Sequence, residues 1–170
     1  MDAMEITKGS RHQKIIGDFG ESILCNWLSR SGFEVAIVDH TGLDIIAYDP
    51  KSGRRLGITV KSRTRPRGKE KTTVNIFSNR AKDDDRGKLL NACRAFNCEP
   101  WIGVYVETTD HGDLYLLSLK CYDEKYRGRA DRVCDTWKMR PQNKATYEQD
   151  PKVRHIRLDV SSFSWHWWNQ

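Results

Sequence analysis

The 170-residue sequence predicts an α/β domain with a central mixed sheet flanked by helices, and three observations carry that expectation. A stretch with apolar residues at helical spacing comes first. Three short apolar segments separated by turn residues follow it. An amphipathic stretch and a further apolar segment then complete the order α-β-β-β-α-β through Glu107. The length suits one compact domain, or one domain with an appendage. Charged residues reach 31%, but six Trp, six Tyr and five Phe supply the bulk of a real core, which excludes wholesale disorder.

Each element has its own local reason. In residues 13–30, Ile15, Ile16, Phe19, Ile23, Trp27 and Leu28 recur at helical spacing, and Gly32 is a stop just beyond. Residues 33–39 read as a strand, and after His40-Thr41-Gly42 so do residues 43–49. Pro50-Lys51-Ser52-Gly53 is a turn, followed by a strand over 56–62 and an extended piece over 72–77. The run Asp83-Asp84-Asp85 precedes an amphipathic helix over 88–96. Acidic residues there complement the helix dipole, a better account of the triple Asp than a metal site. Residues 101–107 and 113–119 read as two strands around Asp110-His111-Gly112. Beyond Lys120 the pattern weakens: 122–139 reads as partly helical, 142–151 as loop and 153–160 as strand.

These readings divide the chain into a core domain, 1–119, and a C-terminal extension, 120–170, packing on it. The extension ends in an aromatic tail with Trp165, Trp167 and Trp168 around His166. The tail is expected to fold back onto the core or a symmetry mate, with base stacking as the alternative.

Composition excludes several classes. No apolar run approaches the roughly 20 residues of a membrane span, and the first residues lack the apolar stretch of a signal peptide, so a cytoplasmic protein is expected. Cys25, Cys93, Cys98, Cys121 and Cys134 are odd in number, irregularly spaced and without C-x-x-C, which argues against a disulfide framework or a standard zinc site. No Walker-type loop, G-x-S-x-G or H-E-x-x-H is present. His40 and His111 lie beside turns and read as turn residues.

The net charge of +6 is concentrated. Lys61, Arg63, Arg65, Arg67, Lys69 and Lys71 occupy alternate positions, opposed only by Glu70. Such a segment suits the phosphates of a nucleic acid; a solvated basic loop is the alternative.

A hairpin centred between Ser52 and Gly53 would set Asp44 opposite Lys61 at one end of the sheet. Thr59 and Lys61, two apart, share a strand face, and Leu56, Ile58 and Val60 take the other. Glu21 lies at the margin of the helix's apolar face, where it can reach over the end of the sheet. Gly17 and Gly20 beside it allow close approach of another backbone. Carboxylate oxygens suit Mg²⁺, and a nearby lysine can orient a water or neutralise charge on a phosphate. The constellation therefore suits phosphodiester cleavage.

The ordered motifs G-D-F-G-Glu21, G-L-Asp44 and I-Thr59-V-Lys61 resemble the PD-(D/E)xK nuclease superfamily, the restriction-endonuclease-like fold, in its Holliday-junction-resolvase-like branch. The resemblance covers residues 13–107. It implies an αβββαβ core and Mg²⁺- or Mn²⁺-dependent cleavage of DNA, with Glu21 and Asp44 as metal ligands and Lys61 as the final lysine. The triplet reads Thr59-Val60-Lys61, so the usual acidic residue is replaced by Thr59, which offers a hydroxyl at most. Either Glu21 supplies the missing carboxylate, or the chain is an inactive nucleic-acid-binding module of the same fold. A third reading makes the tryptophan tail the working surface of an interaction protein. A homodimer would let an active enzyme address two strands.

Overall fold

The computed structural model describes residues 6–159. Helix α1 (His12–Arg30) is followed by strands β1 (Glu34–His40), β2 (Leu43–Tyr48), β3 (Arg55–Thr64) and β4 (Val74–Ser78). Then come α2 (Asp85–Ala95), β5 (Glu99–Glu107), β6 (His111–Ser118), α3 (Leu119–Lys125), β7 (Cys134–Trp137), α4 (Pro141–Gln149) and β8 (Arg154–Asp159). Six strands form one sheet in the order β1-β2-β3-β5-β6-β8. Only β3 and β5 pair in parallel, which obliges the chain between them to cross over the sheet, and α2 lies in that crossover. The mixed sheet and the element order agree with the sequence expectation.

Two apolar clusters cover the sheet. On one face, Ile16, Leu24 and Leu28 of α1 pack on Ile45, Ala47, Leu56, Ile58 and Leu114. On the other, Leu89 and Cys93 of α2 pack with Ile102, Val104, Tyr115 and Trp137. The buried stripe of α1 is Ile16, Gly20, Leu24 and Leu28, at i, i+4 spacing. Ile15 and Phe19, expected on the apolar face, are exposed, though Phe19 makes an edge-on ring contact with Tyr105 of the sheet. Gly20 explains its own presence: a side-chain carbon there would come within 2.1 Å of Ser62 Oγ. Gly17 faces open space, so it has no such reason.

The triple aspartate starts α2 as expected. Asp84 is the N-cap, its carboxylate accepting the Gly87 N–H at 2.9 Å, and Asp85 lies in the first turn. The five cysteines are free. His111 is not confined to a turn; it begins β6.

Three expectations are corrected. Asp44 does not stand opposite Lys61. The β2–β3 ladder pairs Ile45 with Ile58 and Tyr48 with Arg55, a register that carries on to Asp44 and Thr59. The cause is the turn: Asp49 and Arg54 close a four-residue loop, the Asp49 carboxylate gathers the Lys51 N–H and the Ser52 hydroxyl, and Gly53 takes φ 73°. The hairpin is thus centred one residue earlier than the sequence suggested. Second, 142–151 is not loop, because Pro141 opens α4 and Tyr147 anchors it in the core. Third, helix in the 122–139 stretch is confined to α3, which already begins at Leu119. Residues 134–137 form β7, which pairs with β4 in a separate two-stranded sheet. The tail with Trp165, Trp167 and Trp168 lies outside the described residues. Among the described residues no helix is long and apolar enough to cross a membrane.

Candidate functional site

The backbone ladder of β2 and β3 ends at Ile45–Ile58, and the Asp44 side chain continues it. Val60 donates its N–H to Asp44 Oδ2 at 2.6 Å, and the Thr59 hydroxyl donates to the same oxygen at 3.0 Å. A carboxylate stands in for the carbonyl that a longer β2 would have offered, so a buried strand amide stays satisfied where the strands part. Thr59 is buried and Asp44 half-buried. Oδ1 of Asp44 accepts no protein hydrogen bond among the described residues.

Glu21 approaches from α1. Burial first, then the charges of Asp44 and Asp18, push its carboxyl above the ordinary value, against the pull of Lys14 and Lys61. The charges of Asp44 and Lys61 thus both act on Glu21, while Thr59 is joined to Asp44 directly by its hydroxyl. Lys61 has no ion-pair partner among the described residues; with Arg63 and Arg80 it lines a cleft of about 350 Å³ between β3 and β4. Arg80 was not singled out from the sequence, where nothing but proximity in the fold links it to Lys61.

The rest of the basic segment divides by place. Arg63 remains on β3, one guanidinium N–H donating to Ser62 O. Arg65 turns back to donate to Thr73 O at 3.0 Å, and burial followed by the charge of Arg63 lowers its pKa. Arg67, Lys69 and Lys71 stand exposed on the β3–β4 loop.

As a metal site the donor set is sparse and chemically suitable. No group of three His, Cys, Asp or Glu converges among the described residues. Glu21 and Asp44 are hard oxygen donors, and Mg²⁺ is commonly held by one or two carboxylates while keeping several waters. Burial first, and the charges of Asp44 and Asp18 after it, disfavour the ionised Glu21 carboxylate, and a divalent cation beside it would favour that form.

No family model matches the chain, and no curated protein matches it significantly. Among solved structures, the chain is similar to the Archaeoglobus fulgidus Holliday junction resolvase Hjc, with a TM-score of 0.53 at 14% identity over 85% of this chain and 92% of that one. The likeness shows the fold alone: a mixed sheet flanked by helices, shared with that resolvase.

Proposed function

We propose that this protein is a divalent-metal-dependent DNA endonuclease of the PD-(D/E)xK type. The observation that carries the reading is Asp44 holding the Val60 amide where β2 and β3 part, with its charge and that of Lys61 both acting on Glu21, beside a cleft lined by Lys61, Arg63 and Arg80. Glu21 and Asp44 would hold Mg²⁺ or Mn²⁺, which when bound supplies charge stabilisation to a scissile phosphate and acidifies a water. Lys61 orients the attacking water and offsets charge building on the phosphate oxygens. Thr59 acts through Asp44: its hydroxyl donates to Oδ2 and fixes the carboxylate in place. In this reading Thr59 stands in the place of the usual acidic residue as a positioning group, donating to Asp44 where a carboxylate would have offered a second metal ligand. Arg63, Arg65, Arg67, Lys69 and Lys71 grip phosphates.

The likeness to a Holliday junction resolvase makes branched DNA the first substrate to assay. Linear duplex, four-way junction and single-stranded DNA are incubated with Mg²⁺, Mn²⁺ or EDTA, beside Asp44→Asn and Lys61→Ala. The expected result is metal-dependent cutting that falls about 100-fold or more in each variant. No cutting of any substrate with either metal would leave a nucleic-acid-binding module in its place.

A further inference from the structure

The segment from Cys134 to Arg140 alternates strictly in burial. Asp135, Trp137 and Met139 are buried, while Cys134, Thr136, Lys138 and Arg140 look outward. The inward set is tightly held. Trp137 stacks on Tyr147 with ring centroids 3.9 Å apart, and Asp135 takes hydrogen bonds from Arg86 and Arg127. With that face locked, the outward side chains have a defined surface to share. β4 extends it, with Asn75 opposite Thr136.

Clefts lie on both sides of this two-stranded sheet. One, of about 510 Å³, is lined by Thr73, Arg132, Thr136, Lys138, Arg140 and Asn143. The other is the 350 Å³ cleft that contains Lys61, Arg63 and Arg80. Together they present six cations and one carboxylate, Asp85, which is already occupied by the Ser78 N–H and Lys88. None of the six makes an ion pair among the described residues, whereas Arg54, Arg86, Lys125, Arg127 and Lys144 elsewhere each have a carboxylate partner. Neutral donors, Thr73, Asn75, Thr136 and Asn143, are interleaved with the charges, the mixture that phosphate oxygens accept from.

We infer that the outer face of β4 and β7, with its two flanking clefts, binds the phosphodiester backbone of duplex DNA along a path from Lys61 to Arg140. Unpaired cations held apart on a rigid surface suit a polyanion, since a single phosphate calls for one convergent pocket. Lys61 belongs both to this path and to the carboxylate site, so the backbone would be led to the place where β2 and β3 part. The choice of DNA rests on the function proposed above; the surface itself rests on its charge and geometry.

The test is an anisotropy titration of labelled duplex and four-way-junction DNA in EDTA, over a range of salt concentrations. The variant Arg132→Gln/Lys138→Gln/Arg140→Gln is compared with Lys51→Gln/Lys120→Gln/Lys152→Gln, which removes equal charge away from the clefts. All six residues are exposed, so both variants should melt as the parent does. The cleft variant should bind about tenfold or more weakly and lose about two to three units of slope in log K against log salt, while the control keeps most of its slope. An unchanged slope, an equal loss in the control, or preference for duplex RNA over DNA would overturn the inference. Loss confined to the cleft variant, in a protein that cuts no DNA with metal, would support the surface and remove the nuclease.

Discussion

The Thr59 hydroxyl and the Val60 amide converge on one oxygen of Asp44, at 3.0 and 2.6 Å, and its other oxygen accepts no hydrogen bond among the described residues. Thr59→Val removes one donor and keeps the side-chain volume. It should cost about 1–3 kcal/mol, the range for a hydrogen bond to a charged group, and Thr59→Ser should recover most of it. Denaturant unfolding checks the stability. Cleavage assays check whether the order parent, Ser, Val holds for activity as well.

Burial, and after it the charges of Asp44 and Asp18, disfavour the ionised form of Glu21. A carboxyl whose folded pKa is raised weakens the fold above that pKa, and the penalty disappears as pH falls through it. Glu21→Gln should therefore be neutral or stabilising at pH 7 without metal. Millimolar Mg²⁺ should raise the melting temperature of the parent but not of Glu21→Gln or Asp44→Asn. Differential scanning fluorimetry with and without Mg²⁺ reads both effects, and a metal shift retained in either variant would exclude that carboxylate as a ligand.

Asp113 shows the opposite sign. It is buried on β6, and although burial pushes its pKa up, hydrogen bonds from His155 and Lys144 hold it down to about 2, with His111 adding a favourable charge. A depressed folded pKa contributes stability above the unfolded value near 4, and that stability is lost as pH falls toward 2. Acid unfolding should steepen in that window. Asp113→Asn should flatten it and cost about 3 kcal/mol at neutral pH, since Lys144 loses its partner.

The two glycines of α1 should respond in opposite directions. Gly17→Ala enters open space in a helix interior and should stabilise by about 0.5–1 kcal/mol. Gly20→Ala collides with Ser62 Oγ and crowds Tyr105 Cβ, and should destabilise by about 1–3 kcal/mol. Ser62 Oγ is buried without a hydrogen-bond partner, so Ser62→Ala should be tolerated and should soften the Gly20→Ala effect. Thermal melts of the three single variants and the double decide it.

Much of the fold was legible because the information is local. Apolar residues at helical spacing in α1 and short apolar runs in β2, β3 and β5 declare their elements without reference to the rest of the chain. The motif order from Glu21 through Asp44 to Lys61 was legible for the same reason. β7 was missed although its alternation is plain once Asp135, Trp137 and Met139 are known to be buried. One of those is a carboxylate, and only Arg86 and Arg127, both outside the strand, make its burial affordable.

By itself, then, the sequence determined the succession of helices and strands from α1 to β6, the mixed α/β class and the chemical types available to a site. Tertiary structure decided the register of β2 on β3, because the loop closed by Asp49 and Arg54 outweighed the symmetry read from the sequence and set Asp44 against Thr59. It also decided that Lys61, Arg63 and Arg80 share a cleft and that Arg132, Lys138 and Arg140 line its neighbour. Side-chain periodicity is a property of a few consecutive residues, whereas register and convergence depend on which distant residues the packed core brings together.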